Sequence, residues 1–542
     1  MKKISLIMLK KLSIYLIIVM VVIITWTQFD LIINLKKDNS SNNTLFAETS
    51  FVKFSQQSSE VDPATWLIQT IENESVLKQP SIFPPYMVFS ADSYPPVTAI
   101  VNRIDDSDEG IIQSIQHLLK YPFFKEIFIY NQVKTRRLSL KLLYSNITKS
   151  SHSDYKDIPI HIIEDTNTKV SNSSMMGKFR ACEIGSYDKC YFQDDLWLNP
   201  YLDSLYTHSY RYPEHLIVNT RPVNYIDYIK WRFENKNISL HTGYTNLRYG
   251  GFIPRHKVQR FSSHLLRNQK RFESLNADFV EIYFSIWLNQ HPYLIFNPLL
   301  SSGRDSFKDI DTINNRASIE YFMYDALSML ETFLKNDSLL FEKKELLPSV
   351  EERDVRSSCA NDKCLFITNI DPMPPNRMNE NYLQFNSEFI KNLSQYETLY
   401  QDQFNRSIPS KSSYLHSSYH KAVDQDTETC WSSVHYPKKG DYFGLYMTGN
   451  IIAKRVMLYT NTFEEDERLD ELFKISVQFV PFGPWIDCDI KLTPLTQLSY
   501  RIGFDFDCLS FQEPFKSIRI YFKKDLNKAI DLCGIGLDNF VV

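Results

Sequence analysis

The chain has 542 residues, 43% of them hydrophobic and 14% aromatic, which is enough for more than one core because single cores usually stop growing at roughly 250–300 residues. Its formal net charge is only −4, so composition gives no reason to expect nucleic acid or another polyanion as a partner. We therefore expect two or more domains and no nucleic-acid-binding function.

A lysine-flanked apolar segment lies near the N-terminus. The run over residues 12–33 is preceded by Lys2, Lys3, Lys10 and Lys11. As a helix it would be about 33 Å long, which matches the ~30 Å hydrocarbon core of a bilayer. A cleaved signal peptide is the alternative, but its apolar region would span only about 7–15 residues. The positive-inside rule then predicts a type II membrane protein with a cytoplasmic tail over 1–11 and a signal anchor over 12–33.

Two features suit the lumen of the Golgi or endoplasmic reticulum. The eight cysteines are even in number and none forms a CxxC pair, which favours disulfides over structural zinc. Asn-x-Ser/Thr sequons, the acceptors of N-linked glycans, begin at Asn39, Asn42, Asn73, Asn146, Asn172, Asn237, Asn336, Asn392 and Asn405.

Residues 34–90 are mostly polar, and we interpret them as a stem with too few apolar residues to fold fully. Beyond it, the periodicity predicts strands over 97–101, 126–130 and 158–163 and a helix over 109–119. Strands separated by a helix predict an α/β domain with a mostly parallel sheet, in which ligands bind at the carboxyl ends of the strands.

Two adjacent carboxylates, Asp194 and Asp195, follow the aromatic segment 190–193. Sugar transfer from a nucleotide diphosphate requires neutralisation of the leaving diphosphate, and a divalent cation held by carboxylates can provide it. The chain has another such pair, Asp105 and Asp106, which we interpret as a solvated loop pair without a metal.

Residues of about 90 to 300 resemble the nucleotide-sugar-dependent glycosyltransferases of the GT-A fold, including the exostosin-like enzymes. The resemblance rests on the opening strand and helix, on Gly177-Lys-Phe-Arg-Ala181, on Gln193-Asp-Asp195 in the place of the DxD motif, on Tyr249-Gly-Gly-Phe-Ile253 and on Asn276-Ala-Asp-Phe-Val-Glu-Ile-Tyr283. It implies a GT-A domain over 91–345.

That resemblance also implies roles for individual residues. Asp195 would bind Mn²⁺ or Mg²⁺, and Asp194 would share the metal or face the donor ribose or sugar. Asp278, and as second choice Glu281, would act as general base or orient the acceptor hydroxyl. The other donor-binding residues would be Arg103, Asn131, Lys178, Arg180, Gly250 and Gly251.

Some polar residues fit a function and a structural role equally. Arg255, His256, Lys257 and Arg260 would contact a diphosphate or an anionic acceptor, or form a solvated basic face. His291 is either a further metal ligand or a structural histidine. A glycosidase would instead place two carboxylates several ångströms apart on different elements.

The C-terminal part has a different pattern. We assign 346–409, with Pro372, Pro374 and Pro375, to an irregular linker, and the alternating segments 442–447 and 455–459 predict an all-β module over 410–542. Residues 421–431 resemble the A-x-D-G-x-x-x-T-x-W signature of discoidin-like (coagulation factor V/VIII type C) domains, with Gln425 at the glycine position. The resemblance implies a β-sandwich that binds sugars, lipids or proteins through its loops, without choosing among them. We expect disulfides among Cys430, Cys488, Cys508 and Cys533.

These features predict a membrane-anchored enzyme that transfers a sugar from a nucleotide-sugar donor to a glycan or glycoprotein. The alternative is a catalytically inactive carbohydrate-binding membrane protein with a degenerate transferase domain, because Gln193 replaces the first acidic residue of the motif. A third interpretation is a structural adhesion protein at the cell surface.

Overall fold

The computed structural model describes residues 51–53, 95–133, 135, 137–150, 158–164, 176–267, 280–301, 313–336, 354–370, 385–404, 418–433, 435–463, 469–480, 482–492, 501–508, 514–538 and 540–541. The predicted anchor over 12–33 and all of the predicted stem except 51–53 lie outside these ranges. None of the helices within them has both the length and the apolar character needed to span a bilayer.

An α/β part extends to residue 336. Its helices are α1 (Asp108–Leu118), α2 (Leu140–Ser150), α3 (Met176–Ile184), α4 (Leu202–Arg211), α5 (Pro222–Lys230), α6 (Arg255–Arg267), α7 (Val280–Trp287) and α8 (Ile313–Asn336). The strands up to this point are β1 (Phe51–Lys53), β2 (Val97–Arg103), β3 (Phe124–Asn131), β4 (Ile160–Glu164), β5 (Lys189–Asp194), β6 (Trp197–Leu198), β7 (Ile217–Thr220), β8 (Arg232–Asn235), β9 (Leu240–Gly243), β10 (Gly251–Pro254), β11 (Tyr293–Phe296) and β12 (Leu300–Ser301).

Seven of these strands form one sheet in the order β11-β7-β10-β5-β2-β3-β4. β10 runs antiparallel to both of its neighbours, and the other pairs are parallel. All seven residues of β2 are buried, as expected of a strand covered on both faces in a parallel sheet. The predicted α/β domain with a mostly parallel sheet is therefore confirmed, whereas its GT-A type stays a prediction.

Helices cover both faces of this sheet. On one face, Ile111 and Ile115 of α1 belong to the same core cluster as Tyr191 of β5. On the other face, Phe192 of β5 lies 5.8 Å, between ring centroids, from Phe179 of α3. Successive residues of β5 thus serve two different cores, as the alternation of side chains along a strand requires.

The C-terminal part is an antiparallel β-sandwich. A helix within this part of the chain, α9 (Leu393–Phe404), contacts the α/β part, since Tyr396 Oη donates to the Arg232 carbonyl at 3.3 Å. The strands of the sandwich are β13 (Val355–Ser358), β14 (Cys364–Thr368), β15 (Trp431–Ser432), β16 (Tyr442–Ile452), β17 (Arg455–Thr460), β18 (Phe473–Gln478), β19 (Ile486–Leu492), β20 (Arg501–Asp507), β21 (Phe515–Phe522), β22 (Asp531–Leu537) and β23 (Phe540–Val541), and its helix is α10 (Leu469–Leu472). Its main path is β13-β14-β16-β21-β18-β19-β20-β17-β22-β15, so this single sheet curls over itself. β1 adds to β16 in parallel.

The signature that resembles discoidin-like domains forms a tight turn followed by a core residue. Gln425 has φ +66°, a left-handed conformation that glycine adopts at least cost, which explains the glycine in the signature. Asp424 accepts a hydrogen bond from Thr429 Oγ1 at 2.6 Å across this turn. Trp431 is buried and stacks on Tyr419 with ring centroids 5.3 Å apart. These contacts build the fold, and the sandwich's ligand stays a prediction.

The predicted disulfides are confirmed, and the structure supplies their pairing. The bridges are Cys182–Cys190, Cys359–Cys364, Cys430–Cys533 and Cys488–Cys508.

The irregular structure predicted for 346–409 is wrong in part. β13 and β14 lie in this segment, and β14 pairs with β16 from Cys364 opposite Met447 to Thr368 opposite Phe443. The two strands are short and joined by a turn closed by the Cys359–Cys364 bridge. They are four and five residues long, which is too short for local periodicity to reveal, and only β14 has a partner distant in sequence. The domain boundaries at 345 and 410 stay predictions.

The same turn joins the two parts of the chain. Asp362 accepts hydrogen bonds from the backbone N–H groups of Asp203 (2.7 Å) and Ser204 (2.9 Å). It therefore caps the N-terminus of α4 from a distant segment, where a carboxylate also complements the helix dipole. Next to it, Lys363 forms an ion pair with Asp203, and both side chains are buried.

Candidate functional site

The two predicted metal-binding carboxylates lie at the carboxyl end of β5. Asp194 is the last residue of the strand, and the Asp195 N–H donates to the Asn102 carbonyl at 3.0 Å, which extends the pairing with β2 by one residue. The Ile104 N–H donates to Asp195 Oδ1 at 3.1 Å. The backbone after β2 therefore fixes the Asp195 side chain.

Asp195 is an unusual carboxyl group because it is completely buried. Burial is the main cause that raises its pKa to about 8, and the nearby charges of Asp194 and Asp105 raise it further. The Ile104 N–H and Arg103 oppose these effects only partly. Asp105, which is half-buried, therefore acts on this site electrostatically, whereas Asp106 is exposed.

Asp194 faces two cationic side chains on the other side of the strand. Its Oδ1 accepts a hydrogen bond from Asn102 Nδ2 at 3.1 Å, and its Oδ2 lies 4.0 Å from Arg248 Nε. Lys178 is buried, and burial is the main cause that lowers its pKa to about 8. Arg248 lowers the pKa of Lys178 further, and Asp194 opposes the shift. Opposite charges thus surround the carboxyl end of β5.

Glu281, predicted as a catalytic residue, contacts this group directly. It forms an ion pair with Lys178, and its Oε2 accepts a hydrogen bond from the Leu247 N–H at 3.2 Å. These contacts position Lys178 and the 3₁₀ turn Leu247–Tyr249. A catalytic role for Glu281 stays a prediction, and Asp278 lies outside the described residues.

Arg103 and Asn131, two predicted donor-binding residues, contact each other at the ends of β2 and β3. Arg103 is completely buried and donates from Nη1 to Asn131 Oδ1 at 3.2 Å and from Nη2 to Asp108 Oδ1 at 2.8 Å. Asn131 Nδ2 donates to Glu164 Oε2 at 2.7 Å. The pair thus ties three neighbouring strands to the start of α1.

Arg180, the remaining predicted basic donor-binding residue, faces solvent. Its side chain is 69% exposed and pairs with Glu183 of the same helix at 3.1 Å. Lys178, two residues earlier on α3, faces Asp194 instead. Donor binding by Arg180 stays a prediction.

Gln193 stands where the predicted motif would have its first acidic residue, and its contacts give that amide a structural role. Its Oε1 accepts a hydrogen bond from Tyr191 Oη at 2.6 Å, and its Nε2 donates to the Trp197 carbonyl. The side chain is buried, and an amide supplies both the acceptor and the donor that these partners need, which an ionised carboxylate does not. Gln193 therefore holds the turn that follows the two carboxylates.

The predicted donor-binding glycines lie where the backbone passes close to β5. Gly250 has φ +100°, and a Cβ there would lie 2.5 Å from Tyr191 Oη. A Cβ on Gly251 would lie 3.0 Å from Val218 Cγ2. Both glycines therefore allow close packing of the chain that carries Arg248.

Gly250→Ala is expected to destabilise the protein by about 1–3 kcal/mol more than Gly440→Ala, because overpacking a well-filled site costs about that much. Gly440 is the matched control, since it has φ +85° but a Cβ there would meet no atom of the described residues within 4 Å. Both changes introduce backbone strain, and only Gly250→Ala adds a clash. Urea unfolding of both variants measures the difference, and equal losses would contradict the close approach to Tyr191.

Two arginines at this edge of the sheet were not predicted from the sequence. Arg248 lies beside Asp194, and Arg221, directly after β7, stacks with its guanidinium carbon 4.6 Å from the Trp197 ring centroid. The sequence offered one indication of their role: Arg221 follows β7 and Arg248 shortly precedes β10. Both add positive charge near the carboxyl end of β5.

His291 lies apart from the two carboxylates. It precedes the amino end of β11, whereas Asp194 ends β5, and the pairings through β7 and β10 show that β5 and β11 run in the same direction. His291 groups instead with Glu234 and His241. Sequence patterns did not reveal this group. The register of the β8–β9 hairpin brings Glu234 and His241 together, and His291 comes from a segment about 50 residues later in the chain.

Comparisons with known proteins do not assign this chain to a family. No protein-family model matches the chain, and no curated protein matches its sequence. Among solved structures, a mannosyltransferase of Pyrobaculum calidifontis in complex with GDP-Man and Mn²⁺ is similar, with 10% identity, 47% of this chain and 78% of that chain covered, and a TM-score of 0.26.

Two further similar structures match a smaller part of the chain. CpGH89CBM32-5 from Clostridium perfringens, in complex with GalNAc-β-1,3-galactose, shows 8% identity over 22% of this chain and 81% of that chain, with a TM-score of 0.17. The C-terminal domain of a chitobiase from Bacteroides fragilis shows 11% identity over 23% and 82%, with a TM-score of 0.18. At such TM-scores neither fold nor function follows, and the function of this chain has to be argued from its own side chains.

Proposed function

We propose that this chain is a metal-assisted glycosyltransferase that moves a sugar from a nucleotide-diphosphate donor to a glycan or glycoprotein. The observation that carries the proposal is the pair Asp194 and Asp195 at the carboxyl end of β5 in a mostly parallel sheet. Ligands of such sheets bind at that edge. The surrounding arginines and the buried lysine add the positive charge that a diphosphate requires.

The residues present suit Mn²⁺ or Mg²⁺. The two carboxylates offer only oxygen ligands, which hard divalent cations prefer. A buried carboxyl whose pKa is raised to about 8 also gains most from a nearby cation, because the cation favours its ionised form. The bound metal would neutralise charge on the leaving diphosphate.

The chain's own residues would bind and orient the donor. Arg248 and Arg221 present guanidinium groups, which bind phosphate oxygens with defined geometry. Lys178 stays in place because Glu281 pairs with it, and Arg103 keeps the ends of β2 and β3 in register through Asn131. Asp278 or Glu281 would accept the proton of the acceptor hydroxyl or orient that hydroxyl.

The proposal extends to the rest of the chain. The lysine-flanked apolar segment 12–33 would anchor the enzyme as a type II protein of the Golgi or endoplasmic reticulum membrane, with the stem 34–90 holding it in the lumen. The discoidin-like sandwich over 410–542 would bind carbohydrate of the acceptor. The sequons and the four disulfides suit that compartment.

A panel of nucleotide sugars, tested by thermal shift with and without Mn²⁺, checks this function. A donor at 100 times its dissociation constant should stabilise the protein by about 2.7 kcal/mol, and we expect this only with the metal present. Transfer to an acceptor is then measured with the donor that binds. Absence of stabilisation by every donor would contradict the transferase and favour the inactive carbohydrate-binding protein.

A further inference from the structure

A second group of ligand-type side chains lies on the hairpin of β8 and β9. Glu234 and His241 are directly opposite each other in the register of these antiparallel strands. Side chains of such a pair project to the same face, and His241 Nδ1 lies 3.9 Å from Glu234 Oε1. The hairpin alone thus brings one imidazole and one carboxylate together.

His291 completes the group from a different element, the turn between α7 and β11. Its Nε2 lies 4.0 Å from Glu234 Oε1, and its ring centroid lies 3.7 Å from that of His241. The His291 side chain is completely buried, and that of Glu234 is 21% exposed. One ligand atom from each of the three residues lies within 4.8 Å of the other two.

The Asn289 side chain holds this turn against the hairpin. Asn289, two residues before His291, accepts a hydrogen bond at its Oδ1 from the His241 N–H at 2.9 Å. Its Nδ2 donates to the Ser239 carbonyl at 3.0 Å. The side chain of Asn289 therefore fixes the position of both histidines relative to each other.

We propose that Glu234, His241 and His291 bind a zinc ion. Two imidazoles and one carboxylate are a ligand set that zinc uses, with water as the fourth ligand. At zinc–ligand distances of about 2.0–2.2 Å, tetrahedral ligand atoms lie about 3.4 Å apart. Glu234 Oε1 lies 3.9 and 4.0 Å from the two histidine nitrogens, and all three ligand atoms lie within 4.8 Å of one another, so the side chains must move closer together to reach that spacing.

This site is independent of the proposed donor site. Nitrogen ligands favour zinc, whereas Asp194 and Asp195 offer oxygen atoms that suit Mn²⁺ or Mg²⁺. The two groups also lie at opposite ends of parallel strands, since His291 precedes β11 and Asp194 ends β5. The zinc would connect the hairpin to the turn before β11, and its fourth position would be open to water.

Zinc binding is tested on the full-length chain, stripped with a chelator and titrated with Zn²⁺ against a chromogenic chelator. We expect one tight site in the parent, and a loss of affinity of at least 10–100-fold in Glu234→Gln and His241→Ala, since changes outside the ligand set already cost about that much. Zn²⁺ should also raise the Tm of the parent and not that of Glu234→Gln. Co²⁺ should give visible absorption bands that Glu234→Gln lacks.

The controls separate this proposal from its rivals. His256 forms a His–Glu pair with Glu214 at 3.2 Å, which no third ligand joins among the described residues, and His256→Ala should bind zinc like the parent. Asp195→Asn should keep the zinc site even where donor binding is lost. A parent without a tight zinc site, or equal zinc affinity in Glu234→Gln, would show that the group is two packed histidines beside a glutamate and holds no metal.

Discussion

Replacing Asp195 by Asn is expected to reduce metal-dependent donor binding by at least 10–100-fold. The change keeps the size of the side chain and an oxygen that accepts the Ile104 N–H, but it removes the negative charge that would bind the metal. Substitution of residues that only contact the metal ligands already lowers metal affinity by about 10–100-fold, so loss of a ligand itself should lower it by at least as much. Calorimetry of Mn²⁺-dependent binding of uridine and guanosine diphosphate sugars measures the effect.

The matched control is Asp106→Asn, from the other Asp-Asp pair. Asp106 is exposed and accepts from Thr135 Oγ1 at 2.5 Å, which an asparagine also does. Asp105 is unsuitable because its charge raises the pKa of Asp195. The proposed mechanism would be contradicted by either of two results. One is that Asp195→Asn binds the donor as tightly as the parent, and the other is that the parent binds the donor equally well with and without Mn²⁺.

Asp195→Asn should weaken donor binding, but without metal it should raise the free energy of unfolding at high pH. The folded-state pKa of Asp195 is about 8, above its ordinary value of 3.8. Its stabilising contribution is therefore present below about pH 4 and is lost as pH rises through 8. The asparagine variant does not lose this stability, so at pH 9 it should be more stable than the metal-free parent by up to about 6 kcal/mol. Mn²⁺ should restore the parent, and its affinity should rise with pH up to about 8 because binding displaces a proton.

Lys363→Met is expected to destabilise the folded chain by about 3–5 kcal/mol, the usual cost of removing one partner of a buried ion pair. Lys363 pairs with Asp203, whose side chain is completely buried, and the adjacent carboxyl of Asp362 is also buried. Burial, followed by the charge of Asp203, raises the pKa of Asp362 to about 8. The variant would leave the buried carboxyl groups of Asp203 and Asp362 close to each other without the Lys363 cation. This group lies where the α/β part contacts the sandwich.

Two companion variants sharpen this test. Lys438→Met breaks an ion pair with Asp525 at 3.7 Å, whose side chains are 54% and 62% exposed, and should cost only about 0–1 kcal/mol. Lys363→Met combined with Asp203→Leu should recover part of the loss, because apolar replacement of a whole buried pair is often neutral. Urea unfolding measures all three. A loss in Lys363→Met as small as in Lys438→Met would mean that this pair does not hold the α/β part to the sandwich.

Local pattern sufficed for the elements that carry the site. The apolar run of β2 and the aromatic segment before Asp194 predict buried strands, because a strand covered on both faces needs an unbroken apolar sequence. The order of strands and helices predicts a parallel sheet and, from it, the edge where ligands bind. The even number of cysteines predicts disulfides, though their pairing required the fold.

Charge and contact partners required the tertiary structure. Arg248 lies beside Asp194, Lys178 pairs with Glu281, and His291 lies beside His241, and in each case the partners are far apart in sequence. Distance in sequence also applies to β14, which pairs with β16, whereas β13 pairs with its neighbour β14 and is only four residues long.

The sequence by itself predicted an α/β part before an all-β part, the buried strand that leads into Asp194 and Asp195, and the cation binding that two adjacent carboxylates would offer. Only the tertiary structure decided that Asp195 is buried enough to hold its proton near pH 8, that Gln193 serves the core, and that two histidines and a glutamate meet at the other end of the strands. Local propensity depends on neighbours along the chain, whereas burial and pKa depend on every group packed around a side chain.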